Sequence, residues 1–265
     1  MHMYRDENGT CFRYRHHSGS TGILVFIHGL GESGLCFERW ITGFDADPLL
    51  SRWDILIPDL PGYGRSLPRS PRLGLEDYAG FTASILDSLP TRPAVLIGHS
   101  MGGVIALLCI EKLHHPFSAW VNIEGNISPG DCVFSGRAAE WPLPGFVCRG
   151  FSDLKETVFR NGITETAQRG YYASMQFADP GQFHLNSREL VAHSASRDAA
   201  RRMAALKTPV IMITGQPQGL CTESMHLLTE SALPVAVIEP AGHWPFIDCP
   251  ETVTQTVSGF IQTIL

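Results

Sequence analysis

Short apolar runs recur along the chain, each followed by turn residues and then by a longer helical pattern. Six of these runs are predicted to be β-strands: residues 23–27, 54–57, 94–97, 119–123, 210–213 and 235–238. Nearly continuous apolar strands are typical of a parallel sheet that is buried on both faces. The pattern therefore predicts an α/β fold built on a doubly wound, mostly parallel sheet.

The regular alternation is interrupted once, because residues 124–209 contain no convincing core strand and are too many for a single crossover. We predict a helical cap inserted here, with domain limits of 1–125 for the first part of the core, 126–200 for the cap and 201–265 for the second part. Aromatic residues are frequent in it: Phe134, Trp141, Phe146, Phe151, Phe159, Tyr171, Tyr172, Phe177 and Phe183. They form the cap's own core, or their inner face lines an apolar pocket, and both can be true together.

Composition excludes several classes of function. The chain has 265 residues, 44% of them hydrophobic, and a formal net charge of -6 without any basic run. Nucleic acid is not an expected partner, because phosphate binding needs a concentrated Lys and Arg surface. The N-terminus lacks the apolar stretch of a secretory signal, and no apolar run approaches the length of a membrane span. These features predict a cytoplasmic protein, and they give no indication of its oligomeric state.

The cysteines and histidines do not predict a metal site. The seven cysteines are scattered without a CxxC pair, so we expect free thiols. Two pairs of histidines, His16-His17 and His114-His115, are adjacent and lack the spacing of three or four that ligands on one helical face require. No metal and no cofactor are expected.

The hexapeptide GHSMGG, residues 98–103, directly follows a predicted strand and precedes the apolar helical segment 104–110. A G-x-S-x-G in this context is typical of a nucleophile elbow, in which the serine adopts a strained backbone conformation and its neighbours lack side chains. Ser100 is the predicted nucleophile. The alternative is a glycine-rich turn that carries an idle serine.

A second glycine loop, residues 28–33, follows the first predicted core strand. It allows the main chain to approach the elbow, so that the N–H groups of Leu30 and Met101 point at one oxygen, as an oxyanion hole requires. The alternative is an ordinary tight turn.

A histidine near the C-terminus supplies the candidate base. His243 follows the last predicted strand, with Gly242 before it and Pro245 shortly after, which places it on a loop. From there it can reach Ser100 as a general base. Its place after the serine matches the order serine, acid, histidine.

Together with residues 59–66 (DLPGYGRS) and 242–245 (GHWP), these motifs resemble the α/β-hydrolase superfamily, and within it serine esterases with a cap domain. The landmarks extend over residues 28–246, which is nearly the whole chain. The resemblance implies that Asp59 organises a loop near the pocket rather than taking part in catalysis.

The acid that orients the histidine is not at the position that the resemblance implies. In the family it commonly ends a Gly-x-x-Asp turn after the strand that follows the cap, and Gln218 occupies that position here. Some haloalkane dehalogenases resembling this chain place the acid on the neighbouring strand end, which corresponds to Glu124. We predict Glu124 as the acid, and Glu223 and Glu239 remain alternatives.

The nucleophile also restricts the chemistry. The resemblance implies that dehalogenases and epoxide hydrolases of this fold attack with an aspartate, whereas a serine indicates acyl transfer. We predict a serine hydrolase that cleaves a carboxylic ester of a small, mainly apolar molecule. Hydrolysis of a thioester, a lactone or a carbon–carbon bond at the same site is the alternative among enzymes. A small-molecule receptor without turnover remains a further alternative, which Gln218 slightly favours.

Overall fold

The computed structural model describes residues 1–87, 93–112 and 118–264. Its eight strands are β1 His2–Arg5, β2 Cys11–Arg15, β3 Ile23–Ile27, β4 Asp54–Pro58, β5 Ala94–His99, β6 Ala119–Ile123, β7 Val210–Pro217 and β8 Val235–Ala241. They form one sheet in the order β1-β2-β4-β3-β5-β6-β7-β8. Neighbours from β4 to β8 pair in parallel, and β1 and β2 are antiparallel. The predicted doubly wound, mostly parallel sheet is confirmed.

Helices cover the sheet and fill the connections between its strands. They are α1 Glu38–Thr42, α2 Leu75–Asp87, α3 Met101–Lys112, α4 Val133–Ala139, α5 Leu143–Gly145, α6 Phe151–Asn161, α7 Thr166–Met175, α8 Pro180–Ala195, α9 Ala199–Ala204, α10 Thr222–Glu230, α11 Pro245–Asp248 and α12 Pro250–Gln262. Short 3-10 turns occupy Gly34–Phe37, Gly43–Ala46, Leu50–Arg52 and Pro129–Asp131, and Phe146–Gly150 forms a π-helical turn. None of the helices in the described ranges combines the length and apolar character needed to cross a bilayer.

The six predicted strands correspond to β3 to β8, and the four from β3 to β6 are buried along their whole length. The sequence pattern missed β1 and β2, an antiparallel pair at the edge of the sheet. Every residue of β1 is exposed, so it has no apolar pattern to detect. The sequence pattern also predicted too short a β7, ending at residue 213. In the structure β7 runs to Pro217, because its pairing with β8 continues past a bulge between Gly215 and Pro217.

The connections direct the functional residues to one edge of the sheet. β3 lies between β4 and β5, so the chain leaves β3 to one side, crosses back and continues to β5, β6, β7 and β8 on the other. In such sheets ligands bind beyond the carboxyl ends of the strands where the strand order reverses. The loop after β3, the end of β5 and the end of β6 meet at this point.

The segment between β6 and β7 contains α4 to α9. Part of its aromatic set forms a core of its own, because Phe146, Phe151 and Phe183 are buried with ring centroids 5.2 to 5.9 Å apart. Phe177 is 70% exposed. The domain limits at residues 125 and 200 stay a prediction. His114 and His115 lie outside the described residues. All seven cysteines are free thiols.

Candidate active site

Ser100 lies on a tight bend between β5 and α3. Its φ of 51° is in the left-handed region that side chains rarely adopt, and its N–H donates a 2.9 Å hydrogen bond to the Ile123 carbonyl. A Cβ on Gly98 would overlap the main chain of Gly102, and a Cβ on Gly102 would overlap the Ile27 carbonyl. The two glycines are therefore required by space, as the elbow motif predicts.

The glycine loop after β3 approaches this bend closely. A Cβ on Gly29 would lie 3.1 Å from the Ser100 Cβ. Leu30 lines the same cavity as Ser100, whereas Met101, the first residue of α3, is fully buried and is not among the lining residues. Neither the Leu30 nor the Met101 N–H donates a hydrogen bond to a described residue. Neither N–H group therefore has a described acceptor, and their role as an oxyanion hole stays a prediction.

Asp59 organises loops, as the resemblance implies. Its two carboxylate oxygens accept hydrogen bonds of 2.8 Å from the Gly34 N–H and 3.0 Å from the Arg65 N–H. The carboxylate therefore fixes the chain beside the pocket.

His243 lies on the loop between β8 and α11 and lines the same cavity as Ser100. Its Nδ1 is 3.4 Å from Glu124 Oε2. Since Nδ1 faces the carboxylate, Nε2 is the ring nitrogen left for another partner.

Glu124 directly follows β6 and places its carboxylate beside β7. Its side chain is 1% exposed, and Oε1 accepts hydrogen bonds of 2.7 Å from Thr214 Oγ1 and 2.6 Å from the Gly215 N–H. These two donors orient the carboxylate so that Oε2 faces His243. Its backbone is strained, with φ at 54°.

The other candidate acids lie elsewhere. Glu223 is exposed and binds Arg197 Nε at 2.7 Å, and Glu239 is exposed on β8. Neither lines the cavity, whereas Gln218 does. The structure thus brings Ser100, His243, Glu124 and Leu30 to one cavity and leaves Glu223 and Glu239 outside it.

A sequence profile of the alpha/beta hydrolase family matches residues 24–256, which is most of the chain. The chain belongs to the alpha/beta hydrolase family. The predicted enzyme class, a hydrolase of this fold, is confirmed.

The relatives and solved structures that resemble this chain differ in how much of its length they match. The dihydrolipoyllysine-residue acetyltransferase component of the acetoin cleaving system of Cupriavidus necator is 34% identical over 51% of this chain. The chain covers only 34% of that protein's length. The pimeloyl-[acyl-carrier protein] methyl ester esterase of Pectobacterium atrosepticum is 26% identical over 90% of this chain and 94% of its own. A carboxylesterase structure from Nitrososphaera gargenis superimposes with a TM-score of 0.77 at 18% identity, covering 99% of this chain and 98% of that one.

The cavity of this hydrolase has a volume of about 510 Å³, and helices of the β6–β7 segment form much of its wall. The rings of Phe134, Tyr171 and Trp244 pack against one another along one side in tilted pairs, with centroids 5.1 to 6.2 Å apart. The Tyr171 hydroxyl has no hydrogen-bond partner among the described residues, and burial raises the pKa of Tyr171 well above its usual value. Tyr171 therefore contributes a neutral side chain to the wall of the cavity.

Apart from its histidines, the charged residues of the wall are all acidic. The described lining contains no Lys or Arg, and its carboxylates are Glu32, Glu124, Asp131, Glu165 and Asp248. Some of these carboxylates already accept hydrogen bonds from the main chain. Asp131, for example, accepts from the Ile127 N–H at 2.8 Å and from the Cys221 N–H at 3.0 Å. An anionic ligand would find no cationic side chain here other than the histidines.

Glu32 and His99, which the sequence analysis did not single out, are buried and border the cavity. His99 Nδ1 is 3.0 Å from Glu32 Oε2, and His99 Nε2 is 2.8 Å from the His243 carbonyl oxygen. Burial alone would raise the pKa of Glu32, but His99 and the hydrogen bonds from Trp244 and Gly29 lower it to about 2. Burial alone would lower the pKa of His99, and Glu32 raises it above its ordinary value. The available sequence signal was a glutamate inside a glycine loop.

Proposed function

We propose that this hydrolase is a serine esterase that cleaves a carboxylic ester of a small, mainly apolar molecule. One observation carries the proposal: Ser100, held on the strained elbow, shares a cavity with His243, whose Nδ1 is 3.4 Å from the buried Glu124 carboxylate. This is the arrangement of nucleophile, base and orienting acid that acyl transfer needs. The methyl ester esterase named above is similar over nearly the whole chain, which supports an ester as the substrate.

The roles follow from the positions of the groups. Ser100 Oγ attacks the ester carbonyl while His243 Nε2 takes its proton, and Glu124 stabilises the imidazolium that forms. The N–H groups of Leu30 and Met101 bind the oxyanion of the tetrahedral intermediate. His243 then gives the proton to the leaving alcohol. A water molecule attacks the acyl-enzyme with His243 again as base, and Ser100 is released with the acid product.

We infer a neutral substrate from the charges of the cavity. Acidic side chains without a described Lys or Arg create a negative potential, which disfavours a second carboxylate on the substrate. The Phe134, Tyr171 and Trp244 rings suit an apolar chain, and the free Tyr171 hydroxyl suits one hydrogen-bond acceptor on it.

A panel of substrates tests the proposal. We expect turnover of neutral methyl and aryl esters, with an optimum in acyl-chain length, and a kcat/KM at least about tenfold lower for a matched ester that carries a free carboxylate. A thioester and a lactone in the panel separate the alternative reactions at the same site. The Ser100→Ala variant serves as the control for background hydrolysis.

Covalent labelling separates an enzyme from a receptor. A fluorophosphonate should label the wild type and spare Ser100→Ala, because only an activated serine reacts. Protein that binds a neutral ester but resists labelling would overturn the proposal and favour a receptor.

A further inference from the structure

Glu32 and His99 form a buried pair that connects the oxyanion loop to the loop of the base. Their side chains are 2% and 1% exposed. Glu32 lies on the loop after β3 that carries Leu30, and His99 is the last residue of β5. Through its Nε2, His99 contacts the main-chain carbonyl of His243 at 2.8 Å. The pair thus joins two segments that are far apart along the chain.

The hydrogen bonds around the pair determine where its protons lie. Glu32 also accepts from the Gly29 N–H at 2.7 Å and from the Trp244 Nε1–H. A carboxylate surrounded by donors remains ionised, and the carbonyl of His243 can only accept. Both ring nitrogens of His99 therefore face acceptors, and both must carry a proton.

We propose that Glu32 and His99 are positioning residues for the general base. The Glu32 carboxylate keeps His99 doubly protonated, and the His99 Nε2–H holds the main chain of His243. Glu32 also binds Trp244, the next residue of the same loop, and Gly29, which precedes Leu30. One buried carboxylate thereby fixes the base loop and the oxyanion loop relative to each other. This inference rests on the proposed function, because that function makes His243 the base.

Aromatic rings cover the His99 side of the pair, and the neighbouring groups add little charge. The Phe246 ring lies 5.0 Å and the Trp244 ring 6.2 Å from the His99 ring, which excludes water on these sides. The other titratable groups that face the pair are His28, Cys36, Glu124, Tyr171 and His243. Burial lowers the pKa of His28 and raises those of Cys36 and Tyr171, so these three groups are uncharged. Glu124 is committed to His243.

A glutamine cannot replace Glu32 in this arrangement. Its amide nitrogen would face either the Gly29 N–H or the Trp244 Nε1–H, since both oxygens of Glu32 accept from donors. The substitution also removes the negative charge that keeps the second proton on His99. Either change releases the main chain of His243.

Kinetics provide the first test. We expect Glu32→Gln and His99→Phe to lower kcat by about tenfold to about 10²-fold, because a small displacement of the base is costly. KM should stay within about twofold, because both residues border the cavity but their polar atoms are engaged within the protein. Glu189→Gln is the matched carboxylate control, because Glu189 Oε2 binds the Leu75 N–H at 2.8 Å. His184→Phe is the matched imidazole control, because His184 Nε2 contacts the Trp141 carbonyl at 2.8 Å. Both controls should keep the wild-type kcat.

Nitrogen NMR of protein labelled on its histidines provides the second test, with His99 assigned by its loss in His99→Phe. At pH 8 both ring nitrogens of His99 should carry protons in the wild type, and one proton should be lost in Glu32→Gln. The His243 ring signals should shift in Glu32→Gln. A singly protonated His99 in the wild type, unchanged His243 signals, or variants with the wild-type kcat would each overturn the inference.

The two proposals fail in different ways. A wild type that turns over none of the esters counts against the proposed function alone, because the NMR signals of His99 and His243 still decide the positioning role. Wild-type turnover with unaffected variants counts against the positioning role alone.

Discussion

The Glu124 carboxylate is oriented by groups that belong to the neighbouring strand. Thr214 Oγ1 and the Gly215 N–H both bind its Oε1, so the free Oε2 faces His243. The carboxylate thus lies beside Gly215, the residue that opens the Gly-x-x-Asp turn in relatives, although it comes from β6. Because β6 and β7 are paired, the side chain of Glu124 places its carboxylate next to β7, the strand after which the resemblance implies the acid.

Replacing Glu124 by glutamine tests its role at the residue scale. We expect kcat to fall by about 10³- to 10⁴-fold with the fold intact, because an amide neither charge-stabilises the imidazolium nor reliably selects the tautomer of His243. The measurement is kcat and KM with a neutral ester, together with thermal unfolding. Glu223→Gln and Glu239→Gln are matched controls that should change little, since both side chains are exposed and outside the cavity. Wild-type turnover in Glu124→Gln would refute the assignment.

Three elements together determine the nucleophile elbow: β5, α3 and the end of β3. They approach each other so closely that no side chain fits at Gly102. Here the sequence was informative. The motif GHSMGG between an apolar run and a helical pattern predicted the bend, and the space around Gly98 and Gly102 explains why glycine is needed there. Local patterns of this kind depend on neighbouring residues and are therefore readable from one chain.

Adding a methyl group at the elbow tests this packing at the scale of elements. We expect Gly102→Ala to lower the free energy of unfolding by about 1–3 kcal/mol or more, because the Ile27 carbonyl cannot move away without disturbing β3. Gly259→Ala is the control, because Gly259 lies on α12 with nothing within 4 Å of its added Cβ. That control should stabilise the protein by up to about 1 kcal/mol through helix propensity. Denaturation in urea measures both, and equal effects would contradict the argument.

Other elements could not be predicted, for identifiable physical reasons. The exposed strand β1 lacks the apolar pattern that revealed β3 to β6. The Glu32–His99 pair depends on a contact between residues 67 positions apart, and the His99–His243 contact on one between residues 144 apart. Such long-range contacts have no local signature, so a single sequence cannot distinguish Glu32 from an ordinary loop glutamate. Ser100 and His243, by contrast, could be predicted because each lies in a local sequence motif, GHSMGG and GHWP.

At the scale of the whole molecule, buried charge makes the stability depend on pH. The folded-state pKa of Glu32, at about 2, is depressed below its unfolded value, so its stabilising effect is present above the unfolded value and is lost as the pH falls toward 2. The pKa of His99 is raised, so its contribution is complete below about pH 6.5 and is lost as the pH rises through the folded-state value.

The pH dependence of unfolding tests this linkage. The difference in unfolding free energy between wild type and Glu32→Gln should be largest between about pH 5 and about pH 6.5. It should shrink toward lower pH, as Glu32 gains a proton, and toward alkaline pH, as His99 loses one. Urea denaturation at a series of pH values provides the measurement, with Glu189→Gln as the reference variant. A difference that is constant from pH 4 to pH 9 would contradict the assignment of charge to the pair.

With Glu124, which follows β6, as the proposed acid, the loop after β7 does not have to carry a catalytic carboxylate. Gln218, Leu220 and Cys221 of this loop line the cavity instead. A Cβ on Gly219 would overlap the Gly215 carbonyl, Thr214 Oγ1 and Glu124 Oε1, and the main chain is held by the Leu220 and Cys221 N–H groups, which donate to Thr214 and Asp131. The loop can therefore vary in composition while Ser100, Glu124 and His243 keep their places. Substitutions in this loop can therefore change the selectivity for the substrate separately from the rate of turnover.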